Sequence, residues 1–147
     1  MDRDELLRVV EHDWAQLEAA LAAVPLEELD GPSGVPDWSV LDLVGHVTAW
    51  EQDTLDWVSY VVRGVRRPLY SVDPAWTIDA HNAALIAAKR ATPPVLLLLQ
   101  AGETHQRLLN TLRALPDAAL ADQAVVDHVA EDTFNHYRQH ALDLASR

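Results

Sequence analysis

Apolar residues recur at intervals of three and four positions through most of this sequence. That spacing places them on one face of an α-helix, whereas a half-buried β-strand would need strict alternation, which no segment of useful length shows. The predicted helices span about residues 4–24, 39–62, 77–91 and 92–114, and a last helix begins between residues 122 and 127. The sequence therefore predicts an all-α fold, a four-helix bundle with either one extra short helix or a kinked third helix.

Capping residues and prolines indicate where these helices begin and end. Ser39 stands at an N-cap position with Asp42 three residues later, which is the spacing of a capping box. Pro93 follows Thr92, and a proline in the first turn of a helix loses no hydrogen bond. The pattern leaves open whether residues 77–114 form one helix kinked at Pro93 or two separate helices.

Length and cysteine content bound the class of protein. A chain of 147 residues forms one domain, here residues 1–147, and it buries enough surface to fold without a disulfide or a structural metal. It has no cysteine, which excludes a disulfide framework, a thiolate zinc site and a cysteine nucleophile. Any thiol chemistry would need a thiol from outside the chain.

The charge balance predicts which partners are excluded. The chain has 11 Lys and Arg against 23 Asp and Glu, for a net charge of −12. Because each phosphate contact needs a cation, we expect neither nucleic acid nor an anionic membrane surface as a partner. The start, Met1–Glu5, lacks the basic region of a signal peptide, and the apolar run Val95–Leu99 is far shorter than the roughly 20 residues of a membrane span. We therefore expect a soluble, cytoplasmic protein.

Histidines carry the most specific chemical pattern. His136 and His140 are four residues apart, which puts both imidazoles on one face of the last helix at a spacing suited to one metal ion. His46 shares an apolar stripe of the second helix with Leu43 and Trp50. A buried imidazole must be hydrogen-bonded or liganded, so His46 is either a core histidine with a protein partner or a third ligand. Bundle cores are where facing helices assemble metal sites.

The other polar candidates are weaker. His128 lies about 12 Å along the helix from His136 and is rotated away from it, so we do not expect it to share that ion. His12, His81 and His105 have no partner at ligand spacing, and we interpret them as surface or locally paired groups. Three further roles around the site are predicted. Asp132 or Asp143 would hold the second N–H of a metal ligand, although the first interpretation of these two residues and of Glu51 is as solvated acids. Trp76 would line a pocket mouth, and Arg63, Arg66 and Arg67 would either meet an anionic group of a cofactor or be solvated.

Two segments resemble the DinB-like superfamily. Residues 37–51, DWSVLDLVGHVTAWE, are similar to the second-helix motif of that family, and residues 132–140, DTFNHYRQH, are similar to its closing His-x-x-x-His. Residues 82–117 resemble its third and fourth segments more weakly. The resemblance implies an up-down-down-up four-helix bundle, frequent homodimers, and a divalent metal held by His46, His136 and His140. Members with known activity include thiol-dependent transferases and isomerases that use mycothiol, bacillithiol or glutathione, and relatives that inactivate electrophilic genotoxins.

We therefore expect a metal-dependent enzyme that transfers a low-molecular-weight thiol to an electrophilic small molecule. Three imidazoles would suit zinc, nickel, iron(II) or manganese, so the ligands alone do not identify the metal. A hydrolase with metal-activated water and a non-enzymatic protein that sequesters a small ligand are the alternatives. No individual catalytic acid or base is predicted.

Overall fold

The computed structural model describes residues 1–65, 68 and 73–147, and these residues form helices and no β-strand. The helices are α1 (Arg3–Ala22), α2 (Val40–Val62), α3 (Ile78–Lys89), α4 (Pro94–Arg113), α5 (Asp117–Leu120), α6 (Gln123–Ala130) and α7 (His136–Ser146). A 3-10 turn follows α1 at Leu26–Glu28, and a π-helical turn, Glu131–Asn135, joins α6 to α7. The all-α prediction is confirmed.

Side-chain caps place the helix starts where the sequence predicted them. The Ser39 hydroxyl accepts from the Asp42 N–H at 3.0 Å, and the Asp42 carboxylate accepts from the Ser39 N–H at 3.1 Å, which completes a capping box. Thr77 caps α3, and Pro94 occupies the first turn of α4. The open question about residues 77–114 is thereby answered, because α3 and α4 are two separate helices.

Contacts between helix ends give the direction of each long helix. Arg3, at the start of α1, donates to the Leu115 carbonyl beyond the end of α4, so α1 and α4 are antiparallel. Gly45, near the start of α2, packs against Leu97, near the start of α4, so these two helices are parallel. Arg138 pairs with Asp13, and Arg147, one residue beyond α7, pairs with Glu28 in the 3-10 turn that follows α1. Helix α7 therefore runs parallel to α1.

The result is an up-down-down-up bundle of α1, α2, α4 and the α6–α7 segment. Two parallel neighbours need a long connection, and residues 63–93 between α2 and α4 provide it. Helix α3 lies within that connection and packs on α2, where the Trp50 indole N–H donates to the Asn82 side-chain oxygen at 2.7 Å. No described helix is long and apolar enough to cross a membrane.

The described residues form an apolar core between the four bundle helices. Burial of these side chains is the main favourable term in folding a domain of this size. Its largest fully buried apolar members are Leu6, Leu17, Leu43, Leu108, Leu112 and Leu115. Within the core also lie buried polar groups from α2, α4 and α7, and these define the candidate site.

Candidate metal centre

Three histidines from two helices meet near one end of the bundle. His46 comes from α2, and His136 and His140 lie one turn apart on α7. The Nε2 atoms of His46 and His136 are 2.7 Å apart, and one ring nitrogen from each of the three residues lies within 4.8 Å of the others. The structure thus brings together the three residues that the sequence nominated as metal ligands.

Burial keeps these imidazoles neutral, which is the form that binds metals. Burial, together with the nearby His140, lowers the pKa of His46 to about 3. The pKa of His136 is lowered well below its usual value by burial and by both neighbouring histidines. Burial also lowers the pKa of His140, while Asp143 opposes that shift. At neutral pH the cluster presents nitrogen lone pairs rather than positive charges.

The donor set fits a divalent ion. Two nitrogens bound to one tetrahedral zinc ion are about 3.4 Å apart, because each Zn–N bond is about 2.1 Å long. The 2.7 Å between His46 and His136 is within about 1 Å of that separation. The Asp143 carboxylate lies 2.8 Å from Nδ1 of His140, which leaves Nε2 of that ring to face the cluster. Among the described residues, Nδ1 of His46 has no hydrogen-bond partner.

Aromatic rings enclose the cluster. The Trp38 ring lies 4.6 Å from the His46 ring, and Trp50 lies 6.3 Å from His46 on the same helix. Trp38 belongs to a loop, residues 31–39, that rests on the end of α7. A Cβ atom at Gly34 would stand 1.8 Å from the Asp143 carbonyl oxygen, and its φ of +91° is one that glycine adopts without strain. Glycine is therefore required for this loop to approach so closely.

The other predicted residues lie elsewhere. His128 lies 3.4 Å from Asp132, whose carboxylate also accepts from the Thr54 hydroxyl at 2.7 Å, and neither belongs to the cluster. His12 is exposed on α1. His81 pairs with Asp53 at 2.9 Å and has Trp76 beside it, with ring centroids 5.6 Å apart.

The predicted basic group is described only in part. Arg63 follows α2, with its guanidinium 4.6 Å from the centre of the Tyr60 ring. Arg66 and Arg67 lie outside the described residues. The contribution of this group to an anion site therefore stays a prediction.

Reading Glu51 and Asp132 as solvated acids was wrong. Glu51 is fully buried, and Asp132 is 6% exposed. Burial raises the pKa of Glu51, and it raises the pKa of Asp132 to about 6. Position 51 shares the helical stripe of Val47 and Val58, so its spacing within α2 was the signal that placed it inside.

Glu51 has two partners that sequence reasoning missed. Its Oε1 lies 2.8 Å from Nδ1 of His105 on α4 and accepts from the hydroxyl of Tyr137 on α7. The Trp14 ring stacks on His105 with centroids 4.0 Å apart and planes 6° apart. His105 is thus a core group and not a surface one. We call Glu51, His105 and Tyr137 the core triad.

Fold and site together define a four-helix bundle that carries a buried three-histidine cluster between two of its helices. A family model described as the DinB superfamily matches residues 10–143. The chain belongs to the DinB superfamily. A search of curated proteins finds no match to the sequence.

Solved structures share this fold at low identity. An uncharacterised protein from Escherichia coli has a TM-score of 0.83 and 16% identity, and the match covers 97% of this chain and 90% of that one. The colibactin self-resistance protein ClbS, solved in complex with double-stranded DNA, has a TM-score of 0.83 and 16% identity, and the match covers 97% of this chain and 93% of that one. A variant of the mycothiol-dependent maleylpyruvate isomerase has a TM-score of 0.78 and 16% identity, and the match covers 100% of this chain and 62% of that one.

The ClbS complex corrects one prediction from the sequence. We expected no nucleic acid partner on the basis of a net charge of −12. That exclusion was wrong, because a protein of the same fold is solved bound to double-stranded DNA. Net charge is summed over the whole chain, whereas contacts to phosphate are made by a local set of groups. The total charge therefore does not exclude such a partner.

Proposed function

We propose that this protein is a divalent-metal-dependent enzyme that adds a low-molecular-weight thiol to an electrophilic small molecule. The observation that carries the proposal is the buried cluster of His46, His136 and His140, whose nitrogens lie within 4.8 Å of one another. Membership of the DinB superfamily and the shared fold of a mycothiol-dependent isomerase support it. We therefore assign the metal to these three residues.

The protein's own side chains have separable roles in this proposal. The three imidazoles would hold the ion, and Asp143 would fix the ring orientation of His140 by accepting from its Nδ1–H. When bound, a divalent ion would supply a Lewis acid that lowers the pKa of a thiol or water. Trp38 and Trp50 would limit the access of bulk water to the imidazoles. The chain has no cysteine, so mycothiol, bacillithiol or glutathione would have to supply the sulfur.

Metal content tests the first half of the proposal. The protein is purified without a histidine tag, loaded with zinc, nickel, iron(II) or manganese, and its bound metal is measured beside that of the His46→Ala and His136→Ala variants. We expect one ion per chain in the wild type and its loss in both variants. The matched control is His12→Ala, which removes an exposed imidazole from α1 and should keep the ion. Unchanged stoichiometry in the two cluster variants would overturn the metal assignment.

Product analysis tests the second half. The metal-loaded protein is incubated with an electrophile such as an epoxide, with and without each thiol, and the products are identified by mass. A thiol adduct formed only with protein and thiol together supports the proposal. A product that has gained water without any thiol identifies the hydrolase instead. Binding of the electrophile with no product identifies a protein that sequesters its ligand.

We further propose that two copies associate through the first turns of α4. Val95 and Leu99 are 70% and 58% exposed there, and Leu96 and Leu98 add to the same apolar surface. Leu98 also lines a groove of about 350 Å³ formed by α1, α2 and α4, with Leu17 and Leu21 of α1 on another side. Exposed apolar patches of this kind are typical of protein–protein contacts.

A further inference from the structure

The core triad raises the question of why a carboxylate lies in the centre of the bundle. Glu51 and Tyr137 are each 0% exposed, and His105 is 5% exposed. The second carboxylate oxygen of Glu51 has no hydrogen-bond partner among the described residues. A buried charged network is weak support for stability, since well-packed apolar residues of similar volume often do as well or better. Its better-attested use is to fix the register between elements.

The triad lies where such a register matters most for the histidine cluster. Tyr137 directly follows His136 on α7, and Glu51 follows His46 by five residues on α2. Within the described part of the chain, two side-chain hydrogen bonds join α2 to α7, His46 with His136 and Glu51 with Tyr137. The first belongs to the cluster itself, so the second is the hydrogen bond between these two helices that does not involve a cluster histidine. One turn earlier, Thr54 of α2 also bonds to Asp132 in the π-helical turn before α7.

Neighbouring groups restrict the triad to one arrangement. His105 ties Glu51 to α4, and Trp14 of α1 stacks on His105 and meets the Tyr137 ring edge-on at 5.2 Å. All four bundle helices thus contribute to the position of one carboxylate. A shift of α7 along α2 would break the Tyr137 bond and would separate His46 from His136 at the same time.

We propose that Glu51, His105 and Tyr137 are positioning residues that set the register of α7 against α2 and so bring His136 and His140 to His46. The effect of this register on metal binding rests on the proposed function. Its effect on the contact between the imidazoles of His46 and His136 does not require a metal. Loosely supported ligands bind metal more weakly, and loss of an outer hydrogen-bonded partner typically weakens binding about 10- to 100-fold.

Three variants test the proposal. Tyr137→Phe removes the hydroxyl but keeps the ring, and Glu51 retains its His105 partner. Glu51→Gln keeps the volume and an acceptor oxygen for Tyr137, and serves as the conservative variant. Thr48→Val is the control. The buried Thr48 hydroxyl donates to the Val44 carbonyl at 2.8 Å within α2, so its removal should lower stability without changing a contact to α7. Thermal unfolding of each variant shows which of them fold and how much stability each has lost.

The first measurement is zinc affinity by competition with a chelator. We expect Tyr137→Phe to bind about tenfold or more weakly, Glu51→Gln to keep most of the affinity, and Thr48→Val to match the wild type. Equal affinities of Tyr137→Phe and wild type, with the wild type binding zinc, would overturn the positioning role and leave the proposed function standing. Equal weakening in Tyr137→Phe and Thr48→Val would also overturn it, because general stability would then explain the loss.

The second measurement needs no metal. Imidazole ¹⁵N spectra recorded with excess chelator report whether Nε2 of His46 and Nε2 of His136 share a proton. We expect the signature of this shared proton in the wild type and in Thr48→Val, and we expect it to be lost in Tyr137→Phe. Its persistence in Tyr137→Phe would overturn the positioning role. A wild type that binds no zinc but loses the signature in Tyr137→Phe would refute the proposed function and uphold the inference.

Discussion

Each cluster histidine couples the protonation of one ring to the stability of the fold. His46 takes up a proton near its ordinary pKa of about 6.5 in the unfolded chain, but at about 3 in the folded one. Between these values the unfolded state binds more protons, so the free energy of unfolding decreases as pH falls from about 6.5 toward 3. The effect is at most about 1.4 kcal/mol per pH unit for each such histidine.

The resulting prediction concerns His46→Gln in the absence of metal. Urea unfolding is measured at pH 7, 6 and 5 with a chelator present. The free energy of unfolding should fall less steeply with decreasing pH in this variant than in the wild type, because one imidazole with a lowered pKa is gone. Asp132 has a raised pKa in the folded state, so it increases the free energy of unfolding as pH falls from about 6 to 3.8. It is present in both proteins, so its effect cancels in the comparison. His12→Gln should follow the wild type. A His46→Gln curve parallel to the wild-type curve would refute the buried, neutral state of this ring.

A second prediction concerns the carboxylate of Asp143. Its Oδ2 lies 2.8 Å from Nδ1 of His140, so Asp143→Asn should weaken metal binding about tenfold while the fold is retained. Asp127→Asn makes the same charge change on an exposed part of α6, where the acid contacts Gln123, and should leave the affinity unchanged. Competition with a chelator measures both. Matching losses in the two variants would mean that net charge, and not the orientation of His140, determines affinity.

Among individual residues, the sequence predicts the positions of the clustered histidines better than the burial and partners of the acidic residues. The spacing of His136 and His140, and the place of His46 in an apolar stripe, are local patterns that a helical reading captures. The pairing of Glu51 with His105 joins residues 54 positions apart, and no local pattern specifies which buried donor meets which acceptor. The same limit applies to Asp132, whose partner Thr54 comes from another helix.

Among the elements, the loop of residues 31–39 depends most on one glycine. Gly34→Ala would force a side chain into a φ of +91° and place its Cβ 1.8 Å from the Asp143 carbonyl oxygen. We expect a loss of about 3 kcal/mol or more, because strain and a clash with backbone add together. Gly102→Ala is the control, since its Cβ would meet nothing within 4 Å on α4. Urea unfolding measures both, and a Gly34→Ala variant as stable as the control would show that the loop does not pack on α7 in this way.

The π-helical turn Glu131–Asn135 is one of the elements that the sequence did not predict, with the 3-10 turn Leu26–Glu28 and the short helix α5. The prediction treated the last segment as one regular α-helix. A π turn has more residues per turn, so it changes the direction in which later side chains point. Hydrophobic spacing over five residues does not distinguish the two geometries, whereas caps and prolines marked the starts of α2 and α4 clearly.

For the whole molecule, the proposed association through α4 gives a direct test. Leu99→Glu places a charge in the middle of the exposed apolar surface and should shift the protein from dimer to monomer, with little loss of fold because the side chain is 58% exposed. Sedimentation or light scattering at several concentrations measures the mass. Leu142→Glu, on an equally exposed leucine of α7, should remain dimeric. A wild type that is monomeric at every concentration would contradict the proposed contact.

The placing of the cluster histidines on helices far apart in the sequence, α2 and α7, has a consequence for synthesis of the chain. His46 and His136 are separated by 90 positions, and every residue of α4 is made between them. A nascent chain that has released only α1 to α4 from the ribosome therefore holds one of the three imidazoles. Capture of an ion at this site would have to wait until α7 emerges and docks. On the metal assignment proposed above, uptake of the ion would therefore mark a chain in which α7 has docked.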